Sequence, residues 1–319
     1  MSKILYKFIA LVTVIIFANL IIQNYFLNFY WGEPDLAKAY ISAKQINKQK
    51  PLDTLFIGSS RVYTQFNPKI FDKKANTNSF IIGSSLQTIQ EHELLIADIL
   101  KDKDLKIERI FLEINVINYT KPHTTKAVYH SNLTNSLFTL KYFFEKEGIK
   151  TNKKDFYKSD IYNKSIAFLE HTFLVGQGKD ALDSLKFTSD TKLIENKGFR
   201  PNSKKHPSNF TEEKKIKDTK LYSTRAKNRI KNIEQTKDNY SKVYLEKLEK
   251  LEKKLNDKGI TLHIMLNQVF DQNLLNTYNK LKSTDKFFTG NPNIYPIIYN
   301  PTEYWDWTHV LENGANIFT

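Results

Sequence analysis

Cysteine is absent from all 319 residues. That excludes disulfides, thiolate zinc sites and a cysteine nucleophile, and it leaves the redox compartment open. Arginine is scarce. Of 48 basic residues only Arg61, Arg109, Arg200, Arg225 and Arg229 carry a guanidinium. Nucleic-acid recognition leans on arginine's fixed fork to read phosphates and base edges. A net charge of +14 carried mostly by dispersed lysine therefore does not argue for a nucleic-acid partner. The lysines sit among many Asn, Ile, Tyr and Phe, as a genome-wide codon bias would place them; attraction to an anionic polymer or membrane surface is the functional alternative. Glycine is scarce too, with ten residues, and neither a phosphate-cradling glycine loop nor a dinucleotide fingerprint is present. Internal repeats and low-complexity stalks are missing, which counts against a surface adhesin.

What the chain does have is apolar mass. Hydrophobic residues make up 40%, enough for a core and too many for global disorder. The length suits one large domain, or one domain plus an anchor. Phe8 to Ile22 reads FIALVTVIIFANLII, broken only by Thr13 and Asn19. Extended to Phe26, it approaches the ~20 residues that span a bilayer. Lys3 and Lys7 precede it, and Tyr25, Phe26, Phe29, Tyr30 and Trp31 follow as an interfacial aromatic belt should. No small-x-small cleavage site follows Ala18. The expectation is an uncleaved single-pass anchor over residues 1–31, with the amino terminus in the cytoplasm and the rest outside the inner membrane.

Beyond it, short apolar runs alternate with helical periodicity. Pro34 and Asp35 open a helix up to about Lys48, and Pro51 stops it. Thr54–Ile57 runs into Gly58, and Ser79–Ile82 runs into Gly83. Such continuous apolar runs suit strands buried on both faces. Leu86 to Leu100 reads as a helix, with Leu95 and Ile99 one turn apart. Ile110–Ile114 is a third strand and Ile260–Leu266 a fourth. The latter follows a long helix with Tyr244, Leu248, Leu251 and Leu255 on one stripe and Gly259 as its cap. Strands alternating with helices predict an α/β domain over 32–319 with an open, mostly parallel sheet, whose ligands bind at the carboxyl ends of the strands.

From about 120 to 210 the alternation dissolves into an insertion over the active-site edge. Leu137–Phe144 looks helical there, Gly176 and Gly178 mark a loop, and Lys197-Gly198-Phe199 reads as a turn between short strands.

Two clusters carry chemistry. Gly58-Ser59-Ser60-Arg61 puts serines just past a buried strand, where Ser59 or Ser60 can meet a substrate while its backbone is held. A serine hydroxyl needs a neighbouring base to become a nucleophile. Near the carboxyl terminus, Asp306-Trp307-Thr308-His309 supplies one. Residues three apart share a side of a helical turn, so the carboxylate can hold one ring nitrogen and leave the other for serine. Of seven histidines, only His309 has an aspartate at this spacing with strand-like Tyr295–Ile298 upstream. Gly83 is an oxyanion-donor candidate, because a bare backbone N–H can approach a developing alkoxide. Glu91, His92 and Glu93 diverge on a helix, so a metal site is not expected there.

The combination resembles the SGNH, or GDSL-type, hydrolase superfamily. Leu55 to Ser60 is similar to its serine block, with Ser59 in the place of the usual aspartate. That resemblance selects Ser60 as nucleophile. Asn78 to Gly83 is similar to its glycine block, and Asp306 to Ala315 resembles its terminal Asp-x-x-His block. Together these matches cover roughly residues 50–119 and 255–319. The third block departs: the family's Gly-x-Asn-Asp is replaced by Glu113-Ile114-Asn115-Val116-Ile117-Asn118, leaving Asn115 or Asn118 to supply the amide. Membrane-anchored branches share this loss, among them DltD-like proteins and proteins that acetylate bacterial exopolysaccharides. An α/β-hydrolase elbow, Gly-x-Ser-x-Gly, is excluded by Val62.

The resemblance implies an SGNH-like three-layer sandwich, a triad of Ser60, Asp306 and His309, and an oxyanion hole of Ser60, Gly83 and Asn115. It implies a serine esterase or O-acyltransferase acting on acylated cell-envelope or exported polysaccharide, without metal or organic cofactor. A membrane-bound O-acyltransferase is a candidate partner. The alternative is a non-catalytic scaffold or binding subunit of a polysaccharide-modifying membrane complex.

Overall fold

Four short apolar runs of the sequence become the parallel heart of a sheet. The protein is described here by a computed structural model covering residues 3–21, 34–85, 89–114, 178–202, 211–267, 272–283, 285–306 and 309–319. Strands β1 (Thr54–Gly58) and β2 (Ser79–Gly83) are buried at every position. Strands β3 (Arg109–Ile114) and β4 (Thr261–Leu266) are buried along most of their length. A strand covered on both faces cannot alternate apolar with polar, which is why these runs lack a period of two. A two-residue strand, β5 (Lys286–Phe287), completes the sheet. The order is β2-β1-β3-β4-β5, and every pairing is parallel.

That order reverses direction at β1: the chain moves outward to β2, then returns past β1 to β3. The crevice at such a switch point, outside the carboxyl ends of the strands, is where open α/β sheets hold ligands. Ser60 lies two residues beyond the end of β1.

Among the described residues the helices are α1 (Lys3–Ile21), α2 (Pro34–Gln49), α3 (Ser60–Gln65), α4 (Pro68–Ala75), α5 (Ile89–Lys101), α6 (Gly178–Ser184), α7 (Thr191–Glu195), α8 (Glu212–Lys231), α9 (Lys242–Asn256), α10 (Gln272–Lys280) and α11 (Glu312–Phe318). The stripe read from the sequence falls on α9, where Tyr244, Leu248, Leu251 and Leu255 are all buried. This helix packs against β4, and each buried leucine there contributes roughly 1.5–3 kcal/mol. Ser241 caps its start by accepting the Tyr244 N–H at 3.3 Å, and Ile260 N–H closes its end on Leu255 O at 3.0 Å.

By internal contacts the chain divides into two compact units. One comprises residues 1–38 and 121–188, the other residues 39–120 and 189–319. The second carries the sheet. Residues 189–202, expected within the insertion, belong to it. In the first unit, α1 leaves Phe8, Leu11, Val14 and Phe17 exposed. Among the described residues no helix is long and apolar enough to cross a membrane. The 19 residues of α1 rise about 28 Å, just short of a ~30 Å hydrocarbon core. The expected continuation to Phe26 and the aromatic belt lie outside the described residues, as do Leu137–Phe144 and Gly176.

Four local expectations are corrected. Lys197–Phe199 turns directly out of α7, and no strand flanks it among the described residues. Tyr295–Ile298 is not a strand; Pro296–Tyr299 forms a 3₁₀ turn. Pro296 lacks the N–H a ladder needs, and its fixed φ suits the first position of a helical turn. Gly178 opens α6 rather than marking a loop. Asp306 and His309 do not share a helical turn either. Asp306 ends β6 (Tyr304–Asp306), His309 begins β7 (His309–Val310), and the two strands pair antiparallel with Asp306 opposite His309. Cross-strand partners also lie side by side, so the spacing of three fits a hairpin as well as a helix.

Candidate active site

The serine turn is shaped by close contacts on either side of it. A Cβ at Gly58 would lie 2.4 Å from Val62 Cγ2 and 2.7 Å from Glu113 Cβ. With only hydrogen there, the chain can leave β1 and enter α3 at once. Ser59 is the cap of α3: its carbonyl accepts Val62 N–H at 2.9 Å, and its hydroxyl accepts Arg61 N–H at 3.4 Å. Ser59 is only 1% exposed. Ser60, the first helical residue, is more accessible, and as such its own N–H has no intrahelical acceptor.

The β6–β7 pair brings an imidazole to the serine turn. His309 Nε2 stands 2.8 Å from Ser60 Oγ. His309 Nδ1 lies 2.9 and 3.0 Å from the two oxygens of Asp306. The backbone N–H of His309 also donates to Asp306 Oδ1, at 2.9 Å. An ionised carboxylate only accepts, so the proton belongs on Nδ1 and the Nε2 lone pair faces the Ser60 hydroxyl. The structure thus brings Ser60, His309 and Asp306 into one hydrogen-bonded chain, with Ser60 rather than Ser59 on the imidazole. The two side chains of the pair keep 18% and 30% exposure, so the site opens to solvent at its edge.

An apolar cluster ties these pieces to the sheet. Phe56 of β1, Val62 of α3, Ile81 of β2, Phe199, Val310 of β7 and Ala315 of α11 pack together. Thr319 fastens α11 to the end of α3, its hydroxyl accepting Asn67 N–H at 2.9 Å.

Gly83 ends β2 directly beside Gly58 in register. A Cβ at Gly83 would lie 2.5 Å from Gly58 O. The two strand-ending glycines are thus a matched pair that lets β2 approach the serine turn. Gly83 thus sits at the carboxyl edge of the sheet, beside the strand that ends two residues before Ser60. Asn115 and Asn118 lie outside the described residues.

Several residues at this edge were not singled out from the sequence. Glu113 is fully buried under the turn. Its Oε2 accepts Ser59 N–H at 2.6 Å, and its Oε1 lies 3.5 Å from Arg61 Nε, itself 5% exposed in its side chain. A glutamate inside an otherwise apolar strand, with arginine following the serines, was the available signal. Asn267, just past β4, is fully buried, and its Oδ1 accepts the Thr289 hydroxyl at 2.7 Å. Arg200 places a guanidinium nitrogen 3.4 Å from Gly83 O.

No family model, curated protein or solved structure matches the chain.

Proposed function

We propose that the protein is a serine-dependent esterase or O-acyltransferase of the SGNH type, working through an acyl-enzyme on Ser60. The observation that carries this reading is the bonded chain from Ser60 Oγ through His309 to Asp306. A parallel sheet with its serine at the β1 switch point supports it further. Helices on both faces of that sheet would complete the SGNH-like sandwich.

In the first step Ser60 Oγ attacks the ester carbonyl while its proton passes to His309 Nε2. Asp306 holds the Nδ1–H and stabilises the imidazolium that forms. The carbonyl oxygen becomes an oxyanion, to be met by the N–H groups of Ser60 and Gly83, with Asn115 as the third candidate donor. The tetrahedral adduct collapses by expelling the alcohol, which takes its proton from His309. An incoming hydroxyl then repeats the sequence in reverse, giving its proton to His309 and taking the acyl group from Ser60. If that hydroxyl is water the outcome is hydrolysis; if it is a sugar hydroxyl the outcome is transfer. The chemistry needs no metal or organic cofactor.

The substrate class we propose is O-acylated cell-envelope or exported polysaccharide. The amino-terminal apolar helix would hold the sheet domain at the outer face of the inner membrane, beside a membrane-bound O-acyltransferase. The test uses p-nitrophenyl acetate and a fluorophosphonate probe, with and without envelope polysaccharide, following free acetate and acetylated sugar. Ser60→Ala should abolish turnover and labelling, while Ser59→Ala keeps the label. Fast acetate release that polysaccharide leaves unchanged, with no acetylated sugar, would retire transfer in favour of a plain esterase. A folded protein with no turnover and no label at Ser60 would retire catalysis and leave the scaffold role.

A further inference from the structure

We infer that Lys197–Asn202 is a strap that fixes the glycine block and the histidine strand around Ser60, with Arg200 as its positioning residue; the inference rests on the acyl-transfer reading above. The strap starts on the outer edge of β2, where Lys197 O accepts Ile81 N–H at 3.0 Å. Gly198 makes that approach possible: it sits at φ +81°, and a Cβ there would lie 2.2 Å from Ile81 O. Phe199, 5% exposed, plugs into the apolar cluster shared by Val62, Ile81 and Val310. The strap then crosses the serine helix, Arg200 N–H donating to Tyr63 O at 2.7 Å. It ends on the histidine strand, where Asn202 Nδ2 donates to Val310 O at 2.9 Å. Six consecutive residues thereby touch β2, α3 and β7, the three elements that carry Gly83, Ser60 and His309.

Arg200 does the finest part of this work. Its guanidinium lies over the Tyr63 ring, 4.7 Å from the centroid. From there it donates to Gly83 O at 3.4 Å. The Tyr63 hydroxyl in turn meets Ser85 Oγ at 2.9 Å. Tyr63 is one turn along from Ser60 on α3, so the chain from Arg200 through Tyr63 to Ser85 clasps the segment leaving β2 onto the serine helix. A peptide is planar; a donor on Gly83 O therefore sets the plane of the Gly83–Ser84 peptide and, through the shared Gly83 Cα, restrains the neighbouring Ile82–Gly83 peptide that carries the Gly83 N–H. The planar guanidinium both stacks on a ring and donates sideways, a combination lysine cannot reproduce. Arg200 acts through Gly83 and Tyr63 rather than on a reacting atom.

The experiment measures p-nitrophenyl acetate kinetics, fluorophosphonate labelling and thermal unfolding on the full chain. Arg200→Ala should lower kcat by about 10- to 100-fold, the scale of a small misplacement at a reacting centre. KM should hardly change, because no substrate contact is lost. Added guanidinium should restore part of the lost kcat, whereas Arg200→Lys should recover little of it. If Arg200→Ala does not fold, Tyr63→Leu, which removes the ring beneath the guanidinium, should lower kcat in a folded protein. The inference is overturned by a folded Arg200→Ala or Tyr63→Leu protein with wild-type kcat, by a loss confined to KM, or by a kcat loss that guanidinium leaves untouched. Wild-type protein that hydrolyses no ester and takes no label at Ser60 sinks the acyl-transfer reading and the inference with it. An active wild type beside unaffected strap variants sinks the inference alone.

Discussion

Replacing Gly83 with alanine would place a methyl group 2.5 Å from the carbonyl oxygen of Gly58, where ordinary contact begins near 3.4 Å. The obstacle is main chain on the neighbouring strand, so no side-chain rotation relieves it. The end of β2 must retreat from β1 by about 0.9 Å, the gap between 2.5 and 3.4 Å. Gly58 lies two residues before Ser60, and the retreat carries the Gly83 N–H away from any oxygen bound beside Ser60. A misplacement of about 1 Å costs ~10² in rate, and the loss of one oxyanion donor costs ~10²–10³. These are two descriptions of one displacement, so they do not multiply. The expected fall in kcat for p-nitrophenyl acetate is therefore about 10²–10³. Overpacking of this kind also destabilises by ~1–3 kcal/mol, and urea unfolding measures that separately. Gly259→Ala is the control. Its φ of +74° strains an alanine, but nothing lies within 4 Å of the new methyl. It should lose ~1–2 kcal/mol of stability and keep its kcat. A Gly83→Ala enzyme whose kcat stays within about threefold of wild type would falsify both the clash and the donor assignment.

The histidine strand gives the next test: His309→Ala should cost as much kcat as Ser60→Ala, because triad members act as a unit. Asp306→Asn should cost less than His309→Ala, yet still ~10⁴ through the wrong tautomer; a folded, fully active variant of either kind removes the triad. Glu113→Ala should destabilise by ~1–3 kcal/mol, since it removes the carboxylate beside the buried Arg61 guanidinium and leaves Ser59 N–H without its 2.6 Å acceptor. A urea midpoint unchanged from wild type would contradict it. His92 is fully buried on α5, and burial alone pushes its imidazole down to about 3. Below pH ~6.5 the unfolded chain takes up a proton that the folded protein refuses. Stability should therefore fall from pH ~6.5 down to about pH 3, by at most ~1.4 kcal/mol per unit. Urea midpoints at several values across that window measure the slope, and His92→Leu should flatten it; identical slopes in the two proteins would refute the assignment.

The strands were legible in the sequence because continuous apolar runs between turn residues have few other uses. Thr54–Gly58 and Ser79–Gly83 match the expected limits, and β3 and β4 differ from theirs by one residue. The α9 stripe was legible for the same reason: a period of 3.6 records one buried face. The elements around the hairpin were less so. The Asp306–His309 spacing of three fits two geometries, and Tyr295–Ile298 sets β-forming residues around a proline that cannot donate to a ladder.

By itself, the sequence determined which residues could do chemistry: a serine after a buried strand, a histidine with an aspartate three before it, and a glycine ending the next strand. Those are local facts, written in residue type and spacing. Only the tertiary structure decided that Ser60 and His309, 249 positions apart in the chain, close to 2.8 Å, and that Ser59 serves as a buried cap. It also decided that β1 lies between β2 and β3, and so where the crevice opens. Glu113, Arg200 and Asn202 belong to this second class. Their partners at positions 59, 83 and 310 lie 54, 117 and 108 residues away in the chain. A contact at that distance is chosen by packing of the whole sheet and leaves no periodicity for a reader of the sequence to find.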